Sequence, residues 1–400
     1  MSGGPLAGIR VLELGSFIAG PFAGQLLGDY GAEVIKVEPP GSGDAMRTWG
    51  VTREGKSLWW PAIARNKQSI AINLHDPRGQ ELVRKIAARS DIVLENFRPG
   101  TLGRWQLDYD RLREANPRIV VVHVSGFGQS GPYRGDAGFG SVAEAVGGIR
   151  FTTGDPDRAP ARAGISLGDS LASLFAVIGA LASLVERSTS GEGQEVDVAI
   201  YEAVFALMES TVTDFAVAGV TRTRSGGVLP GVAPSNSYPT ADGALIVIAA
   251  NADSVFARLA AAMSQPELAS DERFRTHEQR GRHAEELDEL VVKWTQLMPA
   301  DAITQLLRSH GVPVGRINDA QAIMQDPHFA ERDMIVWRED PDGCGEPMPM
   351  NGVVPKFSRT PGSVDSTGPV LGQHTVEVLS RLCDLDEAAL ADLADTGVIQ

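Results

Sequence analysis

The length, composition and charge of the chain already exclude several kinds of protein. It has 400 residues, 43% of them apolar and 22% charged, which is the composition of a soluble globular protein with enough chain for two domains. Its 51 acidic and 36 basic side chains give a formal net charge of −15, which disfavours nucleic-acid binding because phosphate contacts need a basic surface. The two cysteines, Cys344 and Cys383, are far apart, so we expect neither a disulfide framework nor a zinc cluster.

Over the first 130 residues, short β-branched runs alternate with helical patterns. Strands separated by helices form crossover units, so this pattern predicts a mostly parallel sheet with flanking helices, whose ligands bind at the carboxyl ends of the strands. The predicted strands are residues 9–14, 33–38, 91–96 and 119–125, and the predicted helices include residues 21–30 and 77–88.

The rest of the chain is predicted to complete this α/β domain and to add a smaller one. The predicted elements are a helix over 171–185, a strand over 194–199, a helix over 201–212, a strand over 244–250 and a last helix from near His374. A glycine-rich connection over 221–237 indicates a boundary. We therefore predict a small α+β domain over residues 216–334.

Nothing in the sequence indicates secretion or membrane insertion. The first eight residues lack the charged and apolar blocks of a signal peptide. The most apolar stretch, residues 171–185, is too short to cross a bilayer. We expect a cytoplasmic protein without a membrane partner.

A glycine-rich segment, Gly15–Gly20, follows the first predicted strand and opens a helix. Dinucleotide-binding folds have their phosphate loop at this position. However, the segment lacks the GxGxxG spacing, and Pro39 and Pro40 stand where a ribose-binding acid is expected. Tight packing of a helix on the sheet is therefore favoured over a nicotinamide cofactor.

The segment Leu94–Gly100 follows another predicted strand and contains an amide, an aromatic ring and a guanidinium group. These are Asn96, Phe97 and Arg98, with Arg104 close behind. Arginines at such a position suit phosphate binding and ring stacking, and Lys67 would join them if the fold brings the loops together. A solvated loop remains the alternative interpretation.

Asp169 lies directly before the apolar helical pattern and follows Gly168. An aspartate at this position is most often an N-cap. The alternative is a nucleophile, because the helix dipole favours a carboxylate there and the neighbouring glycine leaves room for a substrate.

Several common catalytic arrangements are missing from the sequence. The seven histidines form no HExxH or HxH motif, and neither GxSxG nor GxxxxGK[ST] occurs, which argues against metal catalysis, an α/β-hydrolase and a P-loop enzyme. His123 lies inside an apolar run and is interpreted as a hydrogen-bonded core histidine.

Taken in order, seven short segments resemble one family, the class III coenzyme A transferases of the CaiB/BaiF type. The resemblance extends from about residue 5 to residue 382. The segments are Gly8–Leu14, Gly31–Glu38, Asn66–Ile70, Glu95–Gly100, Gly126–Gly128, Gly168–Ser170 and Leu371–Thr375.

The resemblance implies roles for individual residues. It implies that Asp169 is the nucleophile and that coenzyme A is a substrate, with no resident cofactor and no metal. The residues implied to bind coenzyme A are Ile18, Ala19, Lys67, Asn96, Phe97, Arg98 and Arg104. The implied fold has a large α/β domain formed by residues 1–215 and 335–400, the smaller domain over 216–334, and two subunits interlocked in a homodimer.

The family mechanism implies aspartyl anhydride and aspartyl-CoA thioester intermediates, which divide acyl transfer into easier steps. Backbone N–H groups of the glycine turns Gly126–Gly128 or Gly138–Gly140 are candidates for stabilising the oxyanions.

The chain also departs from parts of the family. Members acting on formyl-CoA and oxalate have arginine at the position of Pro39 and a four-glycine run, whereas only Gly226-Gly227 occurs here. Racemases of the superfamily have histidine at the position of Phe139.

The chain looks most like the branch that uses succinyl-CoA and short dicarboxylates. We expect acyl-CoA and carboxylic acids as partners, and Arg47 or Arg162 to hold the distal carboxylate, with Phe139 and Gly140 near the acyl group. The alternatives are an acyl-CoA racemase or isomerase and a non-catalytic CoA-binding protein.

Overall fold

The structure, a computed structural model, describes residues 3–339 and 347–400, so Cys344 lies outside the described residues. Its contacts divide the chain into two units. The first comprises Met1–Ile149, Ala163–Ser210 and Pro327–Gln400, and the second comprises Arg150–Arg162 and Thr211–Asp326. Both ends of the chain belong to the first unit.

The strands are short and are spread over the whole chain. In order they are β1 (Arg10–Glu13), β2 (Glu33–Glu38), β3 (Thr52–Arg53), β4 (Lys56–Ser57), β5 (Lys67–Ala71), β6 (Ile92–Glu95), β7 (Val120–Ser125), β8 (Glu195–Ala199), β9 (Ser235–Pro239), β10 (Leu245–Ala249), β11 (Val314–Arg316), β12 (Ile335–Arg338) and β13 (Met348–Asn351).

The α-helices lie between and after these strands. In order they are α1 (Ala19–Asp29), α2 (Trp60–Ile63), α3 (Pro77–Ala87), α4 (Thr101–Arg104), α5 (Tyr109–Ala115), α6 (Gly140–Val146), α7 (Ile149–Thr152), α8 (Leu167–Ser190), α9 (Ile200–Phe205), α10 (Thr211–Ala218), α11 (Asp253–Ala262), α12 (His277–Arg282), α13 (Ala284–Thr295), α14 (Ala300–Ser309), α15 (Ala320–Gln325), α16 (Pro327–Glu331), α17 (Thr375–Cys383) and α18 (Glu387–Asp395).

A six-stranded parallel sheet forms the centre of the first unit, in the order β5-β2-β1-β6-β7-β8. Successive side chains of a strand point to opposite faces, so Leu12 and Val121 belong to one apolar layer while Val11 and Val122 belong to the other. Helices α3 and α17 contribute to the first layer, and α1 and α8 contribute to the second. The predicted α/β fold with a mostly parallel sheet and flanking helices is confirmed.

The end of the chain lies along the outer strand of this sheet. The Asn73 N–H donates to the Val398 carbonyl at 2.8 Å, and Ile72 and Ile399 form an isolated antiparallel bridge. These contacts give hydrogen-bond partners to the backbone that directly follows β5, which is an edge strand of the sheet.

The second unit has its own sheet and its own apolar core. Strands β11, β10 and β9 are antiparallel, and the buried side chains of Ile246 and Ile248 alternate along β10 with exposed ones. Phe256 and Leu259 of α11 pack on the same core. The division into domains at residues 216 and 334 stays a prediction.

Two helices begin earlier than their sequence patterns indicate. Helix α1 begins at Ala19, before Pro21, because proline is tolerated in a first turn where its missing N–H is not needed. Helix α8 begins at Leu167, so Gly168 and Asp169 lie inside it.

The predicted helix over 201–212 is interrupted, since Glu209 has a positive φ of 50° that a right-handed helix does not accept.

Helix α8 is 24 residues long, and by length and composition alone it could span a bilayer. The sequence argument that this apolar stretch is too short is therefore wrong. In the structure, Leu171, Ala172 and Ala176 of α8 pack in one of the two apolar layers of the sheet.

Candidate active site

The order of the strands reverses between β1 and β6, and in sheets of this kind ligands bind outside the carboxyl ends of the two strands at the reversal. The loops after these strands are joined by one side chain. Asn96 donates from Nδ2 to the Ser16 carbonyl at 2.8 Å and accepts the Ser16 N–H at 2.8 Å. A Cβ on Gly15 would stand 2.6 Å from Asn96 Oδ1, so this glycine is required by the close approach. The amide of Asn96 therefore holds the loop after β1.

Phe17, next to Ser16, has a positive φ of 62°, which is unusual for an aromatic residue. Its N–H donates to Asp44 Oδ1 at 3.1 Å. Its ring meets Trp49 edge-to-face at a centroid distance of 5.8 Å and Phe139 at 6.5 Å. These three rings are exposed on one surface. Sequence analysis named Phe139 but missed Phe17 and Trp49. For Phe17 the available signal was an aromatic residue inside a glycine-rich segment.

Asp169 is the third residue of α8, while the N-cap position is occupied by Ser166. The interpretation of Asp169 as an N-cap is therefore wrong. Its side chain is partly exposed, in the first turn of a long helix, where the dipole favours a negative charge. Solvent therefore reaches part of the Asp169 side chain.

The carboxylate of Asp169 lies against Gly140, the first residue of α6. A Cβ on Gly140 would stand 2.7 Å from Asp169 Cγ, which no side chain can occupy without displacing the carboxylate. One loop further, Gly126 and Gly138 approach so closely that a Cβ on Gly126 would stand 2.8 Å from the α-carbon of Gly138. The two glycine turns named from the sequence thus meet beside the helix that carries Asp169.

A hydrogen bond joins the start of α8 to the start of α1. Ser173 Oγ lies 2.7 Å from the Ala19 carbonyl and 2.8 Å from the Asp169 carbonyl, one turn earlier in its own helix. The side chain of Ile18 is buried with Met46 and Trp60. The side chains of Ile18 and Ala19 are both buried and are not accessible to a ligand.

The loop after β6 offers cations and an aromatic ring. The Phe97 ring packs edge-to-face on Trp105 at a centroid distance of 5.0 Å. Arg104 is exposed and donates only to Thr101 Oγ1, at 3.0 Å, among the described residues. Arg98 is exposed, and within residues 3–339 and 347–400 its guanidinium has no hydrogen bond or ion pair. Both arginines can therefore accept an anionic ligand without giving up a protein partner.

Lys67, in contrast, is not at the surface. Its Nζ is fully buried and lies 2.8 Å from Glu13 Oε2 and 2.6 Å from the Pro21 carbonyl. Burial lowers the pKa of Lys67 to about 8, because the charge of Glu13 offsets it only in part. Glu13 also contacts the buried Lys36, at 2.9 Å. Lys67 thus belongs to a buried ion cluster, and its ammonium is not accessible to a ligand at the surface.

The two arginines considered for a distal carboxylate have different surroundings. Arg47 forms a two-pronged ion pair with Glu38, with both N–O distances at 2.7 Å, and stacks 3.9 Å above the Trp60 ring. Burial opposes the charge of Glu38, but Arg47 and Lys36 outweigh burial and hold the pKa of Glu38 below its usual value. Arg47 therefore does not offer a free charge. Arg162 is exposed and belongs to the second unit.

His123 was interpreted from the sequence as a hydrogen-bonded core histidine, and the structure confirms this while adding two charged partners. Its Nδ1 lies 2.6 Å from Glu95 Oε1 and its Nε2 lies 3.1 Å from Glu195 Oε1. Burial disfavours the imidazolium, but the hydrogen bond and charge of Glu95, joined by Glu195, raise the pKa of His123 above its usual value. Sequence analysis missed both carboxylates, since they lie on other strands.

Among the described parts of the chain, no group of three His, Cys, Asp or Glu side chains is arranged to hold a metal ion. Cys383 is buried, and burial raises the pKa of its thiol to about 11, which makes it unreactive at neutral pH. Cys383 is therefore not a candidate nucleophile.

Comparisons with known proteins agree with this geometry. A family model described as CoA-transferase family III matches residues 6–375. The chain is 56% identical over 396 residues to succinyl-CoA–D-citramalate CoA-transferase of Chloroflexus aurantiacus, covering 99% of this chain and 98% of that protein. It is 39% identical over 398 residues to the beta subunit of succinyl-CoA–L-malate CoA-transferase of the same organism, covering 99% and 98%.

The fold has a close counterpart among solved structures. A CaiB/BaiF family protein from Brucella suis superposes with a TM-score of 0.83 at 34% identity, covering 95% of this chain and 99% of that chain. The resemblance found in the sequence motifs is thereby confirmed.

Proposed function

Because the chain belongs to CoA-transferase family III, we propose that it transfers coenzyme A from succinyl-CoA, or a similar dicarboxylyl-CoA, to a short carboxylic acid, with Asp169 as nucleophile. The observation that carries the proposal is the partly exposed Asp169 carboxylate in the first turn of α8, in contact with Gly140. A side chain at residue 140 would displace the carboxylate, so the glycine keeps Asp169 in place.

The reaction begins when an Asp169 oxygen attacks the thioester carbonyl of succinyl-CoA. The carbon–sulfur bond breaks, and the coenzyme A thiolate leaves a mixed anhydride on Asp169. The thiolate then attacks the aspartyl carbonyl, which releases succinate and forms an aspartyl-CoA thioester. Each step exchanges one acyl bond for another, so no oxidant, reductant or net proton is required.

The second half of the reaction repeats the first in reverse. A carboxylate oxygen of the acceptor attacks the aspartyl-CoA carbonyl and expels the thiolate, which leaves a mixed anhydride between the acceptor and Asp169. The thiolate attacks the acceptor carbonyl of that anhydride, which forms the new acyl-CoA and restores the Asp169 carboxylate. Backbone N–H groups of the glycine turns at 126–128 and 138–140 are proposed to stabilise the tetrahedral oxyanions.

Coenzyme A binding is proposed at the loop after β6. Arg98 and Arg104 are exposed and retain donors for phosphate groups, and Phe97 and Trp105 provide an aromatic surface nearby. The proposal also includes the backbone at Ile18 and Ala19 and leaves out Lys67, whose ammonium is enclosed by Glu13 and the Pro21 carbonyl. Asn96 contributes by fixing the loop after β1.

The acceptor is proposed to be a hydroxylated short dicarboxylate. The two relatives described above are named for D-citramalate and L-malate, which share two carboxylates and a hydroxyl group, and both are named for succinyl-CoA as donor. A role for Arg47 or Arg162 in holding the distal carboxylate stays a prediction of the sequence, and Arg47 is paired with Glu38. A cytoplasmic location stays a prediction from the sequence, and an interlocked homodimer stays a prediction of the family resemblance.

A trapping experiment tests the nucleophile. The protein is incubated with succinyl-CoA and then with hydroxylamine, which converts an activated aspartyl group to a hydroxamate that mass spectrometry locates. We expect the modification on Asp169 and none in Asp169→Asn, which keeps the shape of the side chain. Transfer to D-citramalate should be lost in this variant, and an Asp169→Asn protein that still transfers coenzyme A would disprove the assignment.

A parallel incubation in deuterated water distinguishes the alternatives. A racemase or isomerase would exchange the proton next to the acyl carbonyl without forming a hydroxamate, and a non-catalytic binding protein would do neither. A panel of carboxylic acids with succinyl-CoA as donor then identifies the acceptor.

A further inference from the structure

A buried carboxylate stands directly before the proposed coenzyme A loop. Glu95 is the last residue of β6 and is 3% exposed. Its Oε2 accepts the backbone N–H of Phe97 at 2.7 Å, and its Oε1 lies 2.6 Å from His123 Nδ1. One carboxylate thus contacts both the loop backbone and the neighbouring strand.

The contact between Glu95 and His123 follows from the register of two parallel strands. Glu95 on β6 is paired in register with His123 on β7, so their side chains share a face of the sheet. Glu195 on β8 contacts the other ring nitrogen of His123 at 3.1 Å and is half exposed. The three side chains form a row that runs from solvent to the loop.

The loop has two attachment points next to each other. Asn96 ties it to Ser16, and Glu95 fixes the Phe97 N–H. Without His123, Glu95 Oε1 would be a buried carboxylate oxygen without its principal donor, and the side chain would be expected to turn away from Phe97 to find another. The position of Glu95 therefore depends on the imidazole.

We propose that His123 is a positioning residue for coenzyme A binding, which acts by holding Glu95 against the Phe97 N–H and so fixes the loop that carries Arg98. The proposal rests on the proposed function, because it takes that loop to be the coenzyme A site. His123 does not touch substrate in this scheme, and its effect is on binding rather than on the acyl-transfer steps.

Two substitutions of His123 distinguish the contact made by Nδ1 from the contact made by Nε2. The amide nitrogen of His123→Asn occupies the approximate position of Nδ1 and can still donate to Glu95, whereas that of His123→Gln lies near Nε2 and donates toward Glu195. We expect His123→Gln to raise KM for succinyl-CoA about tenfold, the effect of a lost hydrogen bond to a charged group, with kcat and KM for the acceptor acid unchanged. His123→Asn should retain the wild-type KM.

Two further variants change the other two residues of the row, Glu95 and Glu195. Glu95→Asp is too short to reach both partners, so it should raise KM for succinyl-CoA as His123→Gln does. Glu195→Gln changes only the outer contact and should leave KM unchanged. A wild-type KM in His123→Gln and Glu95→Asp, or a raised KM in His123→Asn, would overturn the proposal.

Amide hydrogen exchange tests the positioning role of His123 independently of the proposed function. The Phe97 N–H should exchange about tenfold faster in His123→Gln than in the wild type and at the wild-type rate in His123→Asn. If the wild-type protein transfers no coenzyme A, the proposed function fails, while unchanged Phe97 exchange in His123→Gln overturns the positioning role by itself.

Discussion

The carboxylate of Asp169 packs on the α-carbon of Gly140, with no space between them for a side chain. Two helices therefore meet at the candidate nucleophile, because Gly140 begins α6 and Asp169 lies in the first turn of α8. This contact, rather than the backbone conformation of Gly140, excludes a side chain at residue 140.

Gly140→Ala tests this contact. Its Cβ would displace the Asp169 carboxylate, and a displacement of about 1 Å at a reacting group costs roughly 100-fold in rate, so we expect kcat for transfer from succinyl-CoA to fall by about that factor. Gly135→Ala is the control, since a Cβ on Gly135 has no atom within 4 Å. Equal kcat values for the two variants would show that the contact has no catalytic importance.

Arg98→Ala and Arg104→Ala test the cationic loop. Each should raise KM for succinyl-CoA about tenfold or more, because each removes charge-assisted hydrogen bonds to phosphate, while KM for the acceptor acid stays unchanged. The dependence of KM on salt should weaken in both variants. Arg111→Ala, at another exposed arginine, serves as control, and the prediction is wrong if all three variants resemble the wild type.

Lys67→Met distinguishes a buried ion pair from a ligand contact. Removing one member of a buried pair costs about 3–5 kcal/mol in the free energy of unfolding, and Glu13 would keep only Lys36. We expect a lower urea midpoint, with KM for succinyl-CoA unchanged in the protein that remains folded. A stable Lys67→Met protein with a raised KM would place Lys67 in the coenzyme A site instead.

The pH dependence of stability tests the charge on His123. Because its pKa is higher in the folded protein than in the unfolded chain, its contribution to stability is complete below about pH 6.5 and is lost as the pH rises through the folded pKa. The wild type should therefore exceed His123→Gln in free energy of unfolding most strongly near pH 6, and the difference should shrink by pH 9. Urea unfolding at both pH values measures this, and a difference that grows with pH would contradict it.

The sequence by itself determined the class of fold and the family, and it pointed to Asp169 as the candidate nucleophile. Alternating strands and helices are local patterns, and Asp169, Phe97, Arg98 and Arg104 occur in short ordered motifs, so no knowledge of distant contacts is needed to find them. The positions at which helices begin were predicted less accurately. Pro21 and Asp169 looked like boundaries but lie inside first turns, where helices tolerate both residues.

Only the tertiary structure decided which charged side chains are available to a ligand. Lys67 and Arg47 have the right chemistry in the sequence, yet the strand order brings Lys67 of β5 to Glu13 of β1, and Arg47 pairs with Glu38. His123 also acquires two carboxylates from neighbouring strands. The physical reason is that the strength of a charge interaction depends on distance and burial, which strand order and register set between segments that are remote in sequence.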